Sequence, residues 1–338
     1  MATIKEIAQK LGVSTTTVSN VIHGKTSEVS VQTLEIVKKG LEKYKYIPNA
    51  TAVNLAKSRS GIIGFTLRCR HDYLERALSD PFNSGFLNGI YKKAKDKGYQ
   101  VMIFAADSDE EFLNQILTWN CDGVIILGTP EEEGQIISNR YDGPVVFVDA
   151  FFDPEKDNQV SLRIDDVESS YEMTRHIIEY GHRKIAFLCD SERGVDMKRY
   201  EGYRKALKES GIEDSPSNRL FVTDGFGGTS QQWDRIVEQV RAYTAVECTS
   251  DYFAVQLIKN LIQKGIRVPE DISVTGFDDN DFARFCNPGI TTIHQDIREK
   301  GELAAHMLID IIKGGRSAIH QTVLKTWIVD RESLRPID

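Results

Sequence analysis

The chain has 338 residues, 41% hydrophobic and 27% charged, which is room for two or three sizeable cores and an ordinary balance for a soluble globular protein. No run of about 18 apolar residues occurs, which excludes a membrane-spanning helix, and Met-Ala-Thr-Ile-Lys-Glu offers no apolar signal core; a cytoplasmic protein is expected. The net charge of −8 hides a split: residues 1–60 hold nine Lys and Arg against four Asp and Glu, net +5, leaving −13 on the remaining 278. A basic head on an acidic body suits a tethered nucleic-acid-binding module, because phosphate attraction need act only locally. Cys69, Cys121, Cys189, Cys248 and Cys286 are scattered, without a Cys-x-x-Cys pair, and read as reduced, small apolar residues.

The head begins with Thr3-Ile-Lys-Glu6, a capping-box pattern, followed by Ile4, Ile7, Ala8 and Leu11 on one helical face. Gly12 suits the left-handed end of that helix. Ser14 is an N-cap for a second helix, with Val13 and Val18 spaced as a hydrophobic staple. A third helix starts after Ser30, with Leu34, Val37, Leu41 and Tyr44 inward. Two short helices joined by a turn containing Gly form a helix-turn-helix pattern. In the second helix Val18, Val21 and Ile22 face the core. Thr15, Thr16, Thr17, Ser19 and Asn20 are left as small polar groups able to reach bases or phosphates. On spacing alone an ordinary helical hairpin remains open.

Tyr46-Ile-Pro-Asn49 stops the third helix, and Asn49 can cap a short helix over residues 50–57. Eight residues are too few for an isolated helix, so it should form only when a symmetry mate and a DNA groove hold it. Leu55 would be a wedge for the minor groove, with Lys57 and Arg59 near phosphates; a plain linker is the alternative.

The body alternates apolar runs with amphipathic segments. Strands are expected at 62–67, 101–105, 124–127, 145–148, 185–188, 220–223, 245–248 and 273–276, with helices such as 84–97, 167–180, 199–209 and 251–264. Buried strands alternating with helices mean parallel α/β sheets, here two doubly wound subdomains with a ligand cleft between them. Asp251 reads as a helix N-cap rather than a ligand contact, and His182-Arg-Lys184 as a turn rather than a catalytic group. Asp278-Asp-Asn-Asp281 lacks the Gly and distal Glu of a calcium loop, and no phosphate loop or nucleophile–base pair is found. No metal, cofactor or catalytic residue is therefore expected.

Thr3-Ile-Lys-Glu-Ile-Ala-Gln-Lys-Leu-Gly-Val-Ser-Thr-Thr-Thr-Val-Ser, then Tyr46-Ile-Pro-Asn-Ala and Leu55-Ala-Lys-Ser, resembles the headpiece of the lactose/galactose-repressor (LacI/GalR) family. Asp80-Pro-Phe82, Tyr180-Gly-His-Arg-Lys-Ile185, Arg199-Tyr-Glu-Gly-Tyr203, Val268–Asp279 and Val329-Asp-Arg-Glu-Ser333 extend the resemblance over the body, with its periplasmic-binding-protein-like core. It implies a helix-turn-helix headpiece over 1–47, a hinge over 48–60 and an effector-binding core over 61–338. The core divides into an N-subdomain (about 61–160 and 291–322) and a C-subdomain (about 161–290 and 323–338).

The resemblance makes Thr15 and Thr16 the base-reading pair and Leu55 the minor-groove lever. Position 20, usually Arg in the family, is Asn here, which points to a different outer half-site, since Arg pairs with guanine and Asn with adenine. Arg199, Asp278 and Asp149 are the implied polar contacts of a small ligand, with Phe82 and Phe226 stacking on its apolar face. Position 250, often Asn, is Ser250, which leaves the ligand open. The function implied is a homodimeric repressor of operator DNA controlled by a sugar-like effector, acting at no membrane. A tetramer-forming tail is not expected after Ser333. A purine-like corepressor is the alternative; a solute-binding protein lacks support from the missing signal and the headpiece, and an α/β enzyme from the missing catalytic groups.

Overall fold

The computed structural model describes residues 2–22, 24–46, 59–67, 78–106, 108–151, 154–222, 228–315 and 320–337. It forms two compact units, Met1–Gly61 and Ile62–Asp338. The first carries α1 (Ile4–Leu11), α2 (Thr15–Ile22) and α3 (Val31–Lys43). The Thr3 hydroxyl accepts from Glu6 N at 3.3 Å while Thr3 N donates to the Glu6 carboxylate at 2.9 Å, closing the capping box. Gly12 sits at φ 66°, where a side chain would be strained. The Ser14 hydroxyl caps α2 through Thr17 N at 2.9 Å, and Ser30 caps α3. Ile7, Ala8, Val18 and Val37 make the small core, with Leu11, Val13, Val21, Leu41 and Tyr44 packed on it.

The second unit contains two six-stranded sheets. The first is built from β1 (Ile62–Leu67), α4 (Pro81–Asp96), β2 (Gln100–Phe104), α5 (Asp109–Thr118), β3 (Gly123–Leu127), α6 (Glu131–Arg140), β4 (Val145–Val148) and β5 (Gln159–Ile164). The second takes α7 (Asp166–Glu179), β6 (Ile185–Cys189), α8 (Gly194–Glu209), β7 (Arg219–Phe221), α9 (Ser230–Val240), β8 (Ala245–Cys248), α10 (Asp251–Gln263), β9 (Ser273–Asp278), α11 (Asp281–Phe285) and β10 (Thr291–His294). The chain then returns through α12 (Ile297–Ile312) and β11 (Gln321–Leu324) to the first sheet and ends with β12 (Trp327–Val329) in the second. Strand orders are β11-β5-β4-β3-β1-β2 and β12-β10-β9-β8-β6-β7; among the described residues every pairing is parallel except β10 with β12.

Both faces of each sheet are buried, as parallel sheets require. Ile125, Val146 and Val148 feed one core of the first sheet, while Val124, Ile126, Val145 and Phe147 feed the other. In the second sheet Leu188, Val246 and Val274 oppose Ile185, Phe187 and Ala245 in the same period of two.

The crossings between sheets fall a few residues later than the sequence suggests. β5 stays paired with β4 through Leu162 and with β11 through Ile164, and β10 stays paired with β9 through His294, so the chain crosses at 165, 295–296 and 325–326. The strand β5 has no clear sequence signal because Gln159 and Ser161 interrupt its apolar run. Both are buried in the structure, Gln159 satisfied by Ser138 and the Tyr141 carbonyl.

In each subdomain two helices meet backbone to backbone at glycine. A Cβ at Gly301 of α12 would lie 2.2 Å from the Phe86 carbonyl oxygen of α4, and one at Gly202 of α8 would lie 2.1 Å from the Val167 carbonyl oxygen of α7. These close crossings set the positions of Lys300 and Arg199 on the same two helices.

Candidate functional site

In the head unit, Thr15 and Thr16 are exposed on the first turn of α2. Thr17 is half-buried, its hydroxyl 2.8 Å from that of Ser14, and Ser19 is half-buried further along. Asn20 is also half-buried and donates its side-chain amide to Glu28 at 3.3 Å. The amide nitrogen carries a second hydrogen, so this bond leaves a donor for a base edge. Asn49, Leu55 and Lys57 lie outside the described residues.

In the core unit, the polar groups gather at the carboxyl ends of the strands, where open parallel sheets bind ligands. Asp149 follows β4, Thr249 follows β8 and Asp278 ends β9. Asp149 and Asp278 have φ of 53° and 116°, conformations side chains seldom adopt, which cluster at functional sites. Lys300, 1% exposed on α12, donates to both Asp149 oxygens at 2.6 and 2.8 Å and to Gln295 Oε1 at 3.1 Å. An ammonium has three donors, and all three are committed. Gln295 Nε2 in turn donates to Asp278 Oδ1 at 2.7 Å. The chain Asp149–Lys300–Gln295–Asp278 thus runs from the first sheet to the second.

Arg199 supplies the second buried cation. Its Nε donates to Asp166 Oδ1 at 2.8 Å, its Nη1 to the Thr249 carbonyl, and its guanidinium lies 3.5 Å from the centre of the Phe277 ring. Burial pushes the Asp166 carboxyl up to about 6 against the pull of Arg199, with Asp149 adding to the rise and Lys300 opposing it. Burial pushes Asp278 well above the usual carboxylate range; Arg199 opposes this, and Asp251 and Asp80 add to it. Asp166 therefore lies within electrostatic reach of the opposite subdomain.

The structure brings Asp149, Arg199 and Asp278 into this one group, with the half-buried Phe82 ring centred 5.7 Å from Lys300 Nζ. Ser250 is half-buried beside Thr249, and its hydroxyl accepts from Phe253 N at 3.3 Å. Ser250, not Asp251, is therefore the N-cap of α10. Asp251 is already the first helical residue, its buried carboxylate accepting from Thr292 Oγ1 at 2.6 Å and Asn280 N at 2.9 Å. Phe226 lies outside the described residues. His182 is buried, bonded to Thr244 and the Arg335 carbonyl, and ties down the last segment of the chain. Asp279 is held by His294, Arg284 and Arg331, while Asn280 caps α11. Among the described residues no group of His, Cys, Asp and Glu has the arrangement of a metal site, and no helix is long and apolar enough to cross a membrane.

Sequence reasoning missed Lys300, Gln295, Asp166 and Thr249. For Lys300 a signal existed: Ile297, Gly301, Ala304, Ala305 and Leu308 form the buried stripe of α12, and a lysine on that stripe must find a buried partner.

A helix-turn-helix head followed in one chain by two parallel-sheet subdomains defines a DNA-binding regulator that answers to a small molecule. Residues 3–49 match the family model of bacterial regulatory proteins, lacI family, and residues 174–334 that of a periplasmic binding protein-like domain. The HTH-type transcriptional repressor PurR of Vibrio atlanticus is 30% identical over all of both chains, and that of Haemophilus influenzae strain PittEE is 30% identical over 95% of this chain and 94% of its own. The transcriptional regulator CelR in complex with cellobiose is 26% identical with a TM-score of 0.72, covering 98% of this chain and 100% of its own. The lac repressor dimer bound to operator and the anti-inducer ONPF shares the fold, with a TM-score of 0.82 at 23% identity over 99% of each chain. The chain belongs to the lacI family of bacterial regulatory proteins and is a DNA-binding transcriptional regulator.

Proposed function

We propose that this regulator is a homodimeric repressor whose operator affinity is set by a sugar or sugar derivative bound at Asp278, Arg199 and their neighbours. The observation that carries the effector class is the set of buried charged groups at the strand ends, centred on Arg199 and Asp278. Charged, rigidly held acceptors and donors make directional bonds with hydroxyls. CelR, solved with cellobiose, supports the same class. A dimer sets two copies of α2 in successive major grooves of a pseudo-palindromic site, with the residue 48–60 segments and Leu55 in the minor groove between them. Thr15, Thr16 and Asn20 read bases; Thr17, Ser19, Asn49 and Lys57 hold the backbone. The effector acts through the angle between the subdomains and shifts an existing equilibrium. It is bound and released unchanged, without catalysis.

Site selection followed by operator titration with and without candidate ligands tests this reading. A hexose or disaccharide should raise thermal stability and change operator affinity in the same concentration range. A ligand that stabilises the protein yet leaves operator affinity untouched would contradict the coupling. The relatives named PurR favour a second reading, a purine-like corepressor; a shift by nucleobases and by no sugar would select it.

A further inference from the structure

On the reading that Asp278 touches the effector, we infer that Gln295 is the positioning residue that ties this contact to the angle between the subdomains. It holds the Asp278 carboxylate of the second sheet while Lys300 of the first subdomain holds it.

Gln295 and Asp296 are the two residues between β10 and α12. β10 ends in register with Asp278, and α12 packs into the core of the first sheet. A change of angle between the subdomains must be taken up in part at these two residues, because hinges absorb motion at a few element-terminal positions. The bond from Lys300 Nζ to Gln295 Oε1, 3.1 Å, joins the first turn of α12 to that hinge.

The direction of each bond is fixed. An ammonium donates and cannot accept, so the carboxamide oxygen of Gln295 must face Lys300 and its nitrogen is turned to Asp278. Lys300 is itself anchored by two bonds to Asp149. Lys300 and Gln295 are 1% and 3% exposed, so water does not readily replace a lost bond. Among the described residues the Asp278 side chain accepts from Gln295 alone. The Asp278 backbone, at φ 116°, is in a conformation that persists only where the surroundings hold it. The orientation of Asp278 therefore depends on Gln295, and that of Gln295 on Lys300. A ligand that takes Asp278 and a hinge that turns at 295–296 act on one hydrogen bond, which gives both sites a shared element to bias.

The full-length protein is titrated, without any ligand, with the operator that site selection returns, and its thermal unfolding is followed in parallel. Gln295→Glu keeps the size and the acceptor facing Lys300 but sets a carboxylate against Asp278. Operator affinity per folded protein is expected to change by about fivefold or more, the lower end of coupling between two sites. Adding Asp278→Asn moves the negative charge across the pair and restores the bond in the opposite sense, which should reverse most of that change. Gln295→Met removes both bonds and should also shift operator affinity. Unchanged affinity in the single variants, even with a lowered melting temperature, would make Gln295 a structural residue only and overturn the inference. So would a change in Gln295→Glu that Asp278→Asn leaves in place. If Gln295→Glu fails to fold, Gln295→Met decides alone. No sugar enters these titrations, so their outcome is read separately from the ligand screen that tests the sugar-effector reading.

Discussion

The two subdomains each bury a cation against a carboxylate, but they finish the pair differently. In the first, Lys300 gives every hydrogen to Asp149 and Gln295, and the pair is closed. In the second, Arg199 holds one oxygen of Asp166 and leaves the other unpartnered, beside an unpartnered Thr249 hydroxyl. A closed pair fixes geometry. An open one leaves an acceptor unused. Asp149, implied by family resemblance to touch the effector, belongs to the closed pair.

The sharpest way to break this comparison is Lys300→Met. Removing one partner of a buried ion pair leaves the other charged and desolvated, a loss of about 3–5 kcal/mol. Urea unfolding should show it, and adding Asp149→Leu should recover most of it. A single variant as stable as wild type would mean that the pair contributes nothing. For the open pair, Arg199→Lys keeps the charge but loses the planar fork that reaches Asp166 and the Thr249 carbonyl together. Effector affinity should fall by about one to two orders of magnitude, from about 1.5–3 kcal/mol per charged hydrogen bond. Stability should change less than in Lys300→Met; the reverse order would mean the two pairs had been assigned the wrong roles.

A smaller effect concerns Glu247, behind the open pair. Burial pushes its carboxyl up to about 7 from 4.5, against the hydroxyls of Ser170 and Thr174 and the charge of Arg199. Its folded pKa is raised, so between about 4.5 and 7 the folded state binds more protons than the unfolded one. This group therefore makes the protein less stable as pH rises through that window. Glu247→Gln should remove that part of the slope in denaturation measured across the window; an unchanged slope would assign it to other groups. Smallest is a cap in the head: Ser30→Ala should cost about 1 kcal/mol in unfolding of that unit.

Much of this molecule was legible because its signals are local. Thr3, Glu6, Gly12, Ser14 and Ser30 sit within a few residues of the groups they satisfy, so the three helices of the head follow from short-range spacing. The continuous apolar strands of the core announce sheets buried on both faces in the same way. The α10 cap was misplaced by one residue because Ser and Asp both suit an N-cap, and spacing cannot choose between neighbours. Only the tertiary structure decided which polar groups meet. Lys300 and Asp149 are 151 residues apart, and Arg199 reaches Asp166 across 33. Their contacts depend on two helix crossings at Gly301 and Gly202 and on the register of strands joined through distant crossovers. By itself the sequence determined the family and the architecture, whose residue patterns repeat along the chain. Which carboxylate is sealed and which is left open is a property of packing in three dimensions, because a hydrogen bond depends on where two atoms end up rather than on where they stand in the chain.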